Sequence, residues 1–120
     1  MAIYHCSVKC ITRSEGRSAV AAAAYRSGEK LTNCYDGVTH DYTKKRWIIH
    51  QEIMLPKQAP VSYKDRSELW NAVEMSERSS SCRLAREVQV ALPLELTMEE
   101  NIALVQQYVQ KNFVSQGMCA

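Results

Sequence analysis

Residues 13–30 read RSEGRSAVAAAAYRSGEK, and what this stretch becomes decides how the rest of the chain can pack. Ala19 and the alanines at 21–24 predict a short helix over about residues 17–27, because alanine loses no side-chain entropy on becoming helical. Gly16 and Ser18 loosen its start, and Ser27-Gly28 offers an exit, since glycine tolerates left-handed backbone just past a helix end. Side chains this small let the helix lie very close to whatever it packs on. Tyr25 stands among Arg13, Arg17 and Arg26. Composition by itself reads the stretch as a small-residue packing helix with an ordinary half-buried tyrosine.

On its N-terminal side, residues 2–11 (AIYHCSVKCI) alternate cleanly. Tyr4, Cys6, Val8 and Cys10 form one face of a strand, and Ile3, His5, Ser7 and Lys9 the other. On its C-terminal side, residues 32–46 show no apolar period and read as a loop, with a turn at Asp36-Gly37. A second strand is expected over 47–55 (WIIHQEIML), stopped by Pro56, and a helix over about 62–78, ended by the serines at 79–81. A third strand is expected over 84–92 (LAREVQVAL), closed by Pro93. Thr97 and Glu100 form a capping box that opens the last helix, whose stripe is Ile102, Leu104, Val105, Tyr108, Val109 and Phe113, with Gly117 as its stop. Residues 118–120 resemble the start of one more strand.

The alternation of strand and helix would suit a parallel sheet, but parallel strands are usually apolar on both faces. Each of these strands keeps a polar face. The fold class is therefore α+β, a largely antiparallel sheet with helices packed on one face, in one domain of 120 residues.

Net charge is +2, unevenly spread. Residues 1–50 carry eight Lys/Arg against four acids, and residues 51–120 carry seven against nine. A basic half suits a polyanion, although a solvated face has the same composition. Five cysteines with no CxxC pair read as thiols of a reducing cytosol. No apolar run approaches the roughly 20 residues that span a bilayer, and the N-terminus lacks a signal-peptide layout. A soluble, intracellular protein is expected.

If the strand register holds, one sheet face gathers His5, Ser7, Lys9, His50, Glu52, Glu87 and Gln89. Such a face is commonly just solvated, and His5, His40 and His50 show no close ligand spacing. There is no phosphate-binding loop, nucleophile elbow or zinc-protease signature. Lys44, Lys45 and Arg46 form a basic loop that suits either phosphate or water.

The stretches MAIYHCSVK, GRSAVAAAAYRSGE, THDYTKK, HQEIMLP and LAREVQVALPLELT stand in an order that resembles the N-terminal part of the MobA/MobL plasmid mobilisation relaxases. The resemblance implies a histidine-hydrophobe-histidine endonuclease palm. It implies site- and strand-specific nicking of one strand at a plasmid transfer origin, in a bacterial cytoplasm, with single-stranded or transfer-origin plasmid DNA and accessory mobilisation proteins as partners and no membrane. The family's nucleophilic tyrosine falls on Tyr25, which would form a 5′-phosphotyrosyl link; Glu87 matches a family acid near the metal. Lys9, Arg13, Arg17, Arg26, Lys44 and Lys45 become phosphate contacts. The family's divalent metal, Mg²⁺ or Mn²⁺, is held by three histidines, two of them in a His-x-His pair that would lie beyond Ala120. The chain is thus expected to be a truncated relaxase portion, binding no metal and nicking little by itself. The alternative is a non-catalytic DNA-binding or self-assembling fragment.

Overall fold

The computed structural model describes residues 5–79 and 81–120. Ile3 and Tyr4 of the first expected strand, and Ser80 of the serine loop, lie outside the described residues. The elements run β1 (Cys6–Thr12), α1 (Ala19–Ser27), β2 (Lys30–Thr32), β3 (Thr39–Asp41), α2 (Arg66–Ser76), β4 (Arg83–Val90) and α3 (Met98–Asn112). The class is α+β with antiparallel pairing throughout, as expected. It is built as two separate ladders, β1 with β4 and β2 with β3.

In the first ladder Cys6 lies opposite Val90, Lys9 opposite Glu87 and Ile11 opposite Ala85. Thr12 is then opposite Arg83, which leaves Leu84 as an extra residue and makes a bulge. Partners across a ladder share a face. Ser7, Lys9 and Ile11 therefore lie with Gln89, Glu87 and Ala85, and the polar grouping expected there does form on these strands. Burial on β1 does not follow the alternation of its residues. Val8, assigned to the buried face, is 61% exposed, and Cys6 is exposed too, whereas Ile11 on the other face is buried. The cause is α1, whose Arg26, with Arg17 just before the helix, reaches Glu87 on the Ile11 side and whose alanines share a cleft with Ile11.

The core is small and centred on α1. Val20 and Ala24 are fully buried with Leu31 of β2, and Ala23, Tyr42 and Trp70 pack against them. Leu69 of α2 is buried nearby. Burying a Val or Leu side chain is worth about 1.5–3 kcal/mol, so this cluster fixes α1 against α2 and the β2–β3 hairpin. Most of that hairpin falls in the stretch 32–46, where the sequence predicts a loop. Its strands are three residues each and mostly polar, too short to show a period. The Asp36-Gly37 turn is present, with the Asp36 carboxylate accepting from the Val38 amide at 2.9 Å and Gly37 at φ 74°.

The strand expected over 47–55 does not form. A strand needs a partner ladder, and among the described residues this stretch pairs its backbone only at Met54, which exchanges hydrogen bonds of 2.8 and 2.9 Å with Ala120. Trp47 has φ 73° and is 94% exposed. In α3 the capping box is made as expected: the Glu100 amide donates to Thr97 Oγ1 at 3.2 Å and the Thr97 amide to Glu100 Oε1 at 3.1 Å. The helix ends at Asn112, a turn over Val114–Gln116 follows, and Gly117 takes φ 91°. Among the described residues its apolar stripe is only partly covered: no residue of α3 is buried, and Leu104, Val105 and Tyr108 are exposed.

Candidate nucleophile site

The site is built on α1, and α1 is fastened first at its start. Ser18 caps it, accepting from the Ala21 amide at 3.2 Å. Helix starts leave unpaired N–H donors and a partial positive charge. Glu74, reaching over from α2, answers both. Its Oε1 accepts from Ser18 Oγ at 2.7 Å and from the Ala19 amide at 2.6 Å, while its Oε2 pairs with Arg13 Nη2 at 3.1 Å. The Glu74 side chain is 1% exposed and that of Arg13 10%. Arg13, expected to meet phosphate, is instead a structural clamp: it also donates to the Glu77 carbonyl at 2.8 Å and lies 3.8 Å from the Tyr35 ring centroid.

At the other end, Gly28 takes φ 68° and donates to the Ala24 carbonyl at 2.9 Å. Tyr25 projects from this last turn, 44% exposed. Three groups surround its ring. Tyr42 meets it edge-on, with centroids 5.2 Å apart and planes at 88°. Lys45 Nζ lies 3.5 Å from the ring centroid, and the Arg26 guanidinium 5.3 Å. Arg26 is ion-paired with Glu87, and Arg17 stands 3.9 Å from the same carboxylate while donating to the Cys10 carbonyl at 3.3 Å. Glu87 thus ties β4 to Arg26 of α1 and to Arg17 in the segment before it.

The pattern of the MobA/MobL family matches residues 17–120, a span that contains this whole arrangement except Arg13 and Cys10. The chain belongs to the MobA/MobL family. It is 46% identical over 110 residues to mobilization protein MobL of Acidithiobacillus ferridurans, covering 92% of this chain and 28% of that protein. It is 42% identical over 130 residues to conjugal transfer protein TraA of Agrobacterium fabrum, covering all of this chain and 12% of that one. The chain thus spans well under a third of the length of these relatives. A solved structure from work on the molecular basis of vancomycin resistance transfer in Staphylococcus aureus superposes with a TM-score of 0.85 at 32% identity, over 92% of this chain and 56% of that one.

Of the residues that the MobA/MobL resemblance singled out, Tyr25, Arg26 and Lys45 cluster at the C-terminal end of α1, and Glu87 links Arg26 to Arg17, which precedes the helix. Lys9 faces Glu87 across the β1–β4 ladder. His50 is drawn to Glu52, at 3.1 Å, and Gln106 of α3 donates to the same carboxylate at 2.6 Å. Those two hydrogen bonds, the Gln106 one first, hold the Glu52 carboxyl below its ordinary range. His50, Glu52, Arg26 and Glu87 line a cleft of about 980 Å³ that is otherwise mainly apolar. The cleft includes four consecutive β4 residues, 85–88, so it runs along the edge of that strand rather than over one face. Among the described residues, no three histidine, cysteine or carboxylate side chains converge as metal ligands. Glu87 is committed to arginines and His50 to Glu52, so these groups do not fit a divalent metal by themselves.

Two contributors escaped the sequence reading. Glu74 looks like any acid late in a helix, and only its burial against Ser18 reveals it. Tyr42 was passed over inside a loop, although Asp41-x-Thr43 is a sequence that closes an Asx turn, and this one places Tyr42 and Lys45 on the same side.

Proposed function

We propose that this chain is the relaxase region that carries the strand-cleaving tyrosine of a bacterial plasmid mobilisation protein. The observation that carries this reading is Tyr25, exposed at the end of a rigidly anchored helix and surrounded by cations, in a chain of the MobA/MobL family. In the reaction Tyr25 Oη attacks the phosphorus of a phosphodiester at the transfer origin. An O–P bond to the tyrosine forms as the P–O3′ bond breaks, and the phenolic proton is balanced by the 3′-hydroxyl that leaves. The bond energy is kept in the 5′-phosphotyrosyl ester, so the strand can be rejoined. Arg17, Arg26, Lys9 and Lys44 supply positive charge for the incoming backbone. Arg26 and Arg17 can turn from Glu87 to phosphate without losing an anionic partner.

The test incubates the product of the complete reading frame encoding this chain with a supercoiled plasmid bearing the cognate origin, in Mg²⁺ or Mn²⁺. Nicking and a covalent protein–DNA adduct are expected, and Tyr25→Phe removes both. Equal nicking by Tyr25→Phe sinks the nucleophile assignment. A second reading, single-stranded DNA binding without cleavage, is favoured by the same basic rim. It predicts affinity that falls steeply with salt and is indifferent to Tyr25→Phe, with no adduct in either protein.

A further inference from the structure

The basic loop after β3 is expected to meet phosphate, but the ammonium of its Lys45 is held against Tyr25. Its ammonium donates to the Tyr25 carbonyl at 2.7 Å and lies over the ring of the same tyrosine, 3.5 Å from the centroid. One cation therefore links the backbone of Tyr25 to the face of its own side chain. Rotation of the ring about its first side-chain torsion breaks the second contact while keeping the first. Tyr42 closes the ring's edge from the same turn.

That turn is itself fixed. The Asp41 carboxylate accepts from the Thr43 amide at 3.0 Å and the Thr43 hydroxyl at 2.6 Å. The Lys45 amide donates to the Tyr42 carbonyl at 3.0 Å, and the Tyr42 amide to the Glu29 carbonyl at 3.2 Å, just past the end of α1. Helix ends leave unpaired carbonyls and a partial negative charge, so a cation on the Tyr25 carbonyl is held by the helix as well as by the ring.

We propose that Lys45 and Tyr42 are positioning residues that lock the orientation of the Tyr25 phenol for in-line attack, rather than contacts to the DNA backbone. This rests on the reading of Tyr25 as the nucleophile. A tyrosine 44% exposed has two free torsions, and an attacking atom misplaced by about 1 Å loses roughly a hundred-fold in rate. A clamp on the ring removes that loss before DNA arrives.

The experiment has two arms. In the first, NMR of the ring-labelled protein without DNA follows contacts between the Tyr25 and Tyr42 rings. Lys45→Met loses them, Lys45→Arg keeps them, and the amide signals of the first turn of α1, away from Tyr25, stay in place in both. Ring contacts that persist in Lys45→Met overturn the clamp. In the second, cleavage of an origin oligonucleotide is measured under single turnover at saturating protein, with affinity measured separately. Lys45→Met and Tyr42→Leu slow the saturated rate roughly ten- to hundred-fold with affinity within about two-fold of the parent, and Lys45→Arg recovers most of it. A Lys45→Met protein that loses affinity at an unchanged saturated rate makes Lys45 a phosphate contact and overturns the proposal. So does an unchanged rate after the ring contacts are lost. Cleavage that survives Tyr25→Phe refutes the nucleophile instead, whatever the Lys45 variants do.

Discussion

Replacing Glu74 by alanine is the sharpest test of how α1 is held. Its carboxylate is 1% exposed and accepts from the Ala19 amide at 2.6 Å and Ser18 Oγ at 2.7 Å while pairing with Arg13 at 3.1 Å. Its removal leaves a largely buried cation without its anion and an N-terminal amide without its acceptor. Breaking a buried pair from one side costs about 3–5 kcal/mol. For a chain of 120 residues, at ~4 °C per kcal/mol, the melting temperature falls by roughly 12–20 °C. Glu74→Gln keeps the volume and one acceptor oxygen, but its amide NH2 must face a donor and Arg13 loses its anion, so it should recover only part of that loss. Arg13→Met alone leaves the carboxylate unpaired, so the double change to methionine at both positions should cost less than the two single changes added, by about 1–3 kcal/mol. Thermal and urea unfolding followed by circular dichroism read Glu74→Ala, Glu74→Gln, the single changes Glu74→Met and Arg13→Met, and the double variant. A Glu74→Ala protein within about 1 kcal/mol of the parent, or strict additivity in the double variant, would refute the reasoning.

Two further outcomes concern the Tyr25 end. Gly28→Ala puts a side chain at φ 68°, where the backbone cost is about 1–2 kcal/mol. Its new Cβ would meet only the flexible tip of Ile48, so adding Ile48→Ala should restore little stability in urea; full restoration would make crowding the cause. The Asp41 carboxyl is held below its ordinary value by the Thr43 hydroxyl first and the Thr43 amide next. A depressed carboxyl stabilises the folded state above the unfolded pKa of about 3.9, and that contribution is lost as pH falls through the folded value. The Thr43 amide shift should therefore titrate with a midpoint below about 3.9, and Thr43→Ala should move the Asp41 midpoint back up; a midpoint at or above 4 contradicts the turn.

The sequence made the local elements legible wherever one short signal was sufficient. Ser18 and Gly28 bound α1, Thr97 and Glu100 open α3, and the alternation of 84–92 becomes β4 over Arg83–Val90. Long-range pairing was the unreadable part. Residues 47–55 alternate as well as any strand in the chain, yet a strand is defined by its neighbour, and among the described residues only Met54 has one. Likewise the buried face of β1 depended on where α1 would settle. The arginines at 17 and 26 drew that helix over the Glu87 side, so Ile11 was buried and Val8 was not. For the site, Tyr25 stood out only by resemblance. Its neighbours Tyr42 and Lys45 needed the fold of the Asp41 turn before they could be placed.

These contacts explain why so short a helix can orient an exposed side chain. Nine residues of mostly alanine make a marginal helix in water, because nucleation is costly and few bonds follow it. Val20 and Ala24 supply the apolar contact, but alanine buries too little to fix rotation about the helix axis. The charged groups do that. A carboxylate sits at the end with partial positive charge and an ammonium at the end with partial negative charge, each complementing the helix dipole where it is strongest. Glu87 adds a third tie, through Arg26 and Arg17, to a strand on the far side. Larger residues in place of the alanines would bury more area and hold α1 more firmly, but they would lift it off Leu31 and Trp70 and displace Tyr25 from Tyr42 and Lys45. Small side chains along the helix and charged anchors at its ends are therefore one solution, in which closeness is secured by alanine and orientation by ion pairs.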